Sequence, residues 1–111
     1  MQLVEFCDKW IALFSDENTL ADQLVDGGFG EECFALGWEM DCGHAFCDKH
    51  RCRDFSDALP FVSQETDVVL IGSLLFSAWR YFNHWAYSSA EILDYRDWFV
   101  TVLNRIKELS K

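Results

Sequence analysis

The sequence has one proline and six glycines in 111 residues. So few chain breakers exclude flexible linkers, low-complexity tracts and collagen-like repeats. Cations are scarce as well. Nine Lys and Arg stand against nineteen Asp and Glu, for a net charge of -10. A surface of that sign does not hold a nucleic-acid backbone directly. The longest apolar run, residues 68–78, is interrupted by Gly72, Ser73 and Ser77 and followed by Arg80. It falls short of the roughly 20 apolar residues needed to cross a bilayer. The opening Met1-Gln2-Leu3-Val4-Glu5 lacks the basic start and apolar stretch of a secretory signal. A cytoplasmic protein without membrane association is expected. No Cys-x-x-Cys pair and no calcium-hand loop is present. No recognisable set of nucleophile, base and oxyanion donors is present either, so the chain is expected to be non-catalytic and to need no cofactor.

What is present is apolar and aromatic. Half of the residues are hydrophobic and 16% are aromatic, with ten Phe, five Trp and three Tyr. That is enough for the core of one domain spanning 1–111. Leu3, Cys7, Trp10 and Phe14 recur at helical spacing and predict a helix over 2–14. A short helix over 19–25, capped by Ser15 or Asn18, is stopped by Gly27-Gly28. A third helix is expected from about Gly30 to Asp41, with Cys33, Leu36 and Met40 as its stripe and Phe34 and Trp38 beside it. Gly37 weakens it by about 1 kcal/mol relative to Ala. Residues 42–66 hold no period and contain Pro60, so they read as irregular. Thr66 or Asp67 then caps the strongest element. Over about 67–87, Val68, Ile71, Leu75, Trp79 and Phe82 form one stripe, and Leu74, Ala78, Tyr81 and Trp85 form another. A helix apolar on most of its circumference belongs at the buried centre of its domain. A last helix, capped at Ser88 or Ser89, carries Ile92, Tyr95, Phe99, Val102, Ile106 and Leu109. The expected fold is all-α, with four to five helices packed around the central helix. It divides into an acidic part, 1–67, and an aromatic helical hairpin, 68–111.

Charge is spread unevenly. Residues 1–67 carry fifteen acids and four bases, and residues 68–111 carry four acids and five bases. No Lys or Arg lies between Lys9 and Lys49. Asp16, Glu17, Asp22, Asp26, Glu31, Glu32, Glu39, Asp41 and Asp48 all do. Leu20, Leu24, Phe29, Phe34 and Trp38 are interleaved with them, so the stretch folds rather than forming a polyacidic tail. The bland reading is a solvated face that keeps a small protein soluble. The functional reading is a partner-binding surface of Asp16, Glu17, Asp22, Asp26, Glu31, Glu32, Glu39 and Asp41, complementary to a basic groove.

Two further places bear on function. The stretch from Cys42 to Cys52 packs three Cys and two His into eleven residues. Tetrahedral zinc takes four such ligands, normally as two short pairs from separate turns. Cys42, Cys47, His50 and Cys52 are the candidate ligands, but their spacing is poor and no metal is expected. Lys49, Arg51 and Arg53 would favour thiolates there. On the central helix, Ser73, Ser77, Arg80 and His84 share one face. Ser77 and His84 stand about 10 Å apart along the axis, too far to act as nucleophile and base. The bland alternative is a helix face open to solvent, or a buried polar link to Glu39 or Asp41. Arg80, Tyr81, His84 and Trp85 form an alternative interface.

Small size, one domain, strong acidity and no catalytic signature together resemble phage-type inhibitors of nucleic-acid-handling defence enzymes, anti-CRISPR proteins among them. The similarity is one of general character and carries over no residue roles. It implies a protein partner with a basic, nucleic-acid-binding surface. The competing expectations are a zinc-stabilised adaptor, a small-molecule-binding helical domain lined by Trp79, Trp85 and Arg80, and a homo-oligomer formed through an exposed aromatic patch.

Overall fold

Phe6, Cys7, Trp10 and Phe14 fall on one side of a helix and are all buried, which fixes α1 (Leu3–Ser15) against the rest of the chain. The computed structural model describes residues 2–41, 43–84 and 91–110, and for Asp26, Asn83 and His84 the backbone alone. Every regular element among these residues is helical. After α1 come α2 (Ala21–Asp26), α3 (Phe29–Ala35), α4 (His44–His50) and α5 (Phe55–Val62). They are followed by α6 (Val68–His84), α7 (Glu91–Asp94) and α8 (Arg96–Leu109). The described residues thus hold eight helices where four or five were expected. The radius of gyration, 12.7 Å, matches the roughly 13 Å of a folded domain of about 100 residues.

Two of the extra helices come from residues 42–66, which were expected to be irregular. Asp54 caps α5 by accepting the Asp57 N–H at 2.8 Å. Pro60 then sits inside α5, where its missing donor removes one bond from a helix of only two turns. The third helix is shorter than expected. It ends at Leu36 because Gly37 takes φ +86°. Trp38 N–H then reaches back to the Cys33 carbonyl and Gly37 N–H to the Phe34 carbonyl, the left-handed stop that glycine favours. Gly37 therefore ends the helix rather than weakening its middle. The expected last helix is also divided, with Tyr95 separating α7 from α8. The proposed caps Ser88 and Ser89 lie outside the described residues.

Asp67 caps α6 by accepting the N–H groups of Val69 and Leu70. Residues 71–78 of α6 are buried without exception, and α6 packs against α2, α3, α4, α5, α7 and α8. The most extensive helix pair, however, is α1 with α8. These two run antiparallel, because Phe14 stacks on Phe99 (4.6 Å, 4° between planes) while Asp8 pairs with Lys107 at 2.6 Å. Phe29, at the start of α3, is the hub of the aromatic core. Its ring lies 4.9 Å from Trp10, 5.5 Å from Phe6 and 5.9 Å from Trp79.

After Gly37 the chain runs as a strap along α6. Trp38 packs directly on Gly72, where a Cβ would stand too close to the indole to fit. Glu39 N–H donates to Ser73 Oγ at 3.3 Å, and Asp41 N–H donates to Ser77 Oγ at 3.1 Å. The small and polar residues of an otherwise apolar helix thus form the seat of this strap.

Candidate functional site

The acidic residues separate into two groups. Asp41 is a structural cap. Its carboxylate accepts the N–H groups of Gly43 (2.9 Å) and Ala45 (3.0 Å) at the start of α4, and also the Ser77 hydroxyl (3.2 Å). Glu32 is engaged too, with Lys9 Nζ at 2.7 Å and Trp10 Nε1 at 3.4 Å. Asp16, Glu17, Asp22, Glu31 and Glu39 are exposed, and none has an ion-pair partner among the described residues. The Asp26 side chain lies outside the described residues. Cations are spent elsewhere. Lys9, Lys49, Arg53, Arg105 and Lys107 each hold a carboxylate of the same chain. The surplus negative charge therefore faces solvent.

Beside these acids, α2, α3, the strap and α6 enclose a cleft of about 470 Å³. Its walls include Val25, Phe76 and Trp79, its edges Glu31 and Arg80, and its mouth Phe34 and Met40. Trp79 is held rigidly. Its Nε1 donates to the Leu24 carbonyl at 3.0 Å, and its ring packs against Phe29 and Phe76. Gly30 permits this approach, since a Cβ there would stand 2.6 Å from the ring. Phe34 is 75% exposed and Met40 46% exposed. Met40 was expected on the apolar stripe of the third helix and Phe34 beside it, and both are instead at the surface. The helix stop at Leu36 turns Met40 out of that stripe, while Phe29 and Cys33 already fill the inward face of α3.

Of the alternative interface, Arg80 and Tyr81 are the residues whose side chains are described. Arg80 borders this cleft, whereas Tyr81 lines a second one of about 330 Å³ with His44, Arg53, Phe55 and Tyr95. The side chain of His84 and all of Trp85 lie outside the described residues.

The Cys/His stretch is organised around a carboxylate that sequence reasoning missed. Glu65 is 2% exposed. It receives Lys49 Nζ at 2.7 Å, His50 Nε2 at 2.8 Å and the N–H groups of Thr66 (2.9 Å) and Asp67 (3.0 Å). Its own carbonyl accepts from Arg105 Nε and Nη2. Burial alone would raise its pKa, but Lys49, the Asp67 N–H, His50 and the Thr66 N–H hold it down at about 2. His50 is thus a hydrogen-bond partner of Glu65, packed against Phe46 and Phe61. Among the described residues no three Cys, His, Asp or Glu side chains converge as metal ligands. Cys42 lies outside them, and Cys47 and Cys52 are half-buried. The Cys47 thiol is pushed up to about 12, by burial first and then by a hydrogen bond to Cys52. The thiolate that Lys49, Arg51 and Arg53 were expected to favour is opposed at Cys47 by burial, Cys52 and the nearby Asp54 and Asp48, all of which raise its pKa.

No protein-family model matches the chain, and neither the curated proteins nor the solved structures contain a match to it. No helix among the described residues is long and apolar enough to cross a membrane.

Proposed function

We propose that the chain is a non-catalytic protein-interaction module that docks its acidic surface on a basic, nucleic-acid-binding groove of a partner protein, in the manner of a phage-type inhibitor acting in the cytoplasm. The reading rests on one observation. Asp16, Glu17, Asp22, Glu31 and Glu39 are exposed and unpaired among the described residues, while five of the chain's cations are bound internally. Carboxylates already placed on a folded surface lose little freedom on binding and steer a basic partner into encounter.

The test is binding to the partner recovered by affinity capture from the native host. Association should slow steeply with salt, because the screening length falls from about 10 Å at 0.1 M to about 3 Å at 1 M. Reversal of Glu17, Asp22, Glu31 and Glu39 to Lys should weaken binding while the helical circular dichroism stays intact. Glu32 and Asp41 are left unaltered because each supports the fold. The nucleic-acid ligand of the partner should compete with the chain. Unchanged affinity and salt response in the four-site variant refutes the reading.

A further inference from the structure

We propose that the α3/α6 cleft is the centre of the docking surface, and that it takes a basic amphipathic segment of the partner, with an apolar side chain seated on Trp79 and Lys or Arg against the surrounding carboxylates. This inference rests on the acidic-surface reading above and specifies the chemistry of the partner.

Three observations carry it. First, the cleft is apolar where it is deep and exposed where it opens. Val25, Phe76 and Trp79 form the wall, and Phe34 and Met40 stand at the mouth with 75% and 46% of their surfaces in water. Large exposed apolar groups gathered at a concavity mark an interaction site, whereas the same groups scattered singly do not. Met and aromatic side chains are also the types enriched at the centres of protein interfaces. Second, the wall is preorganised. Trp79 is fixed by the Leu24 carbonyl and by its neighbours Phe29 and Phe76, so an incoming side chain meets an ordered surface and little has to be immobilised.

Third, the charge around the cleft selects the occupant. Glu31 lines it directly. Asp22 lies one turn before Val25 on α2, and Glu39 precedes Met40 in the strap, both exposed. A second copy of the chain, with a net charge of -10, would bring like charges together in a symmetric contact. A segment with apolar anchors on one face and Lys or Arg beside them satisfies both wall and rim, as in helix-in-groove recognition. Arg80, which also lines the cleft, favours a segment whose charge is one-sided.

The experiment selects a random displayed peptide library on the wild-type protein and on the Phe34→Ser variant. Phe34 is exposed, so the variant should fold, and its melting curve checks that it does. Expected is an enriched set with net positive charge and a Leu, Met, Phe or Trp anchor among its Lys and Arg. These peptides should bind Phe34→Ser about tenfold more weakly, as expected for loss of an anchoring aromatic contact. Met40→Ser should weaken the same peptides. If the enriched peptides are basic but lack an apolar anchor and bind Phe34→Ser equally well, the cleft proposal fails while the acidic-surface reading stands. If they are apolar without positive charge, or bind the four-site Lys variant equally well, the acidic-surface reading fails with it. Absence of any enrichment over the unselected library overturns the cleft as a docking site.

Discussion

Glu65 ties three parts of the molecule together, and its replacement by Gln isolates the buried charge. The carboxylate joins Lys49 and His50 of α4 to the first residues before α6, and its backbone carbonyl receives Arg105 of α8. Its carboxyl titrates at about 2 in the fold against 4.5 ordinarily. At about 1.4 kcal/mol per pH unit, that gap amounts to roughly 3 kcal/mol of folding free energy. Lys49 is half exposed, so salt screens its share, and about 2–3 kcal/mol is the expected cost of the Gln variant. The sign follows from linkage. A carboxyl lowered in the folded state stabilises at any pH above its unfolded value. That contribution is lost as pH falls from 4.5 towards about 2. Urea unfolding followed by Trp fluorescence should therefore show a large difference between wild type and Glu65→Gln at neutral pH, shrinking to near zero at about pH 2. The difference is the useful quantity, because protonation of the surface carboxylates affects both proteins alike. A gap between the two proteins that stays constant across this range would refute the reasoning.

Other outcomes follow from the core and the strap. Phe29→Ala removes the hub of the aromatic cluster and should cost about 3–5 kcal/mol, read from the urea midpoint. Gly72→Ala drives a methyl into the Trp38 indole and should cost about 1–3 kcal/mol. It should also raise hydrogen exchange at the Glu39 amide, whose acceptor is Ser73. Cys47, held protonated at neutral pH by its position near 12, should alkylate with iodoacetamide far more slowly than free cysteine. Rapid modification of Cys47 in the folded protein, located by mass spectrometry, would contradict the burial argument.

Where a local signal and its structural consequence lie close together, the sequence was readable. Asp67 before an apolar helix, and Gly27-Gly28 after a short one, mark boundaries through the backbone chemistry of a few neighbouring residues. The polar line on α6 was legible in part, as a possible link to Glu39 or Asp41. Elsewhere the periodic signal misled. Trp38 and Met40 extend the spacing of Cys33 and Leu36, which predicts a third helix continuing through Gly37. In the fold they belong to a strap, with Trp38 over Gly72 and Met40 at the cleft mouth. Helices α4 and α5 have seven and eight residues, about two turns each, too short for a period to stand out. Glu65 carried no signal at all. Its partners Lys49 and His50 are placed by the turn between α4 and α5, and Arg105 arrives from 40 residues away. The acidic stretch was visible as composition, but which acids stay free was decided by distant partners. Lys9 claims Glu32 across 23 residues, and Ser77 meets Asp41 across 36.

Helix α3 shows how stability and recognition are kept apart in so small a protein. Phe29 and Cys33 point inward and are wholly buried, while Glu31 and Phe34, on the same two turns, face solvent. The inward residues are coupled to α1, α6 and α8 through ring contacts, so changes there propagate into folding free energy. The outward pair contributes little to that core, which leaves its chemistry open to change without loss of the fold. Like Val25 and Phe76, Trp79 is shared between core and cleft. One side of its ring packs on Phe29 and its remaining surface lines the cleft. A ligand seated on Trp79 therefore rests on the same aromatic cluster that holds α1, α3 and α8 together. Binding there should raise the free energy of unfolding by the amount mass action requires, and the docking surface draws its rigidity from the core beneath it.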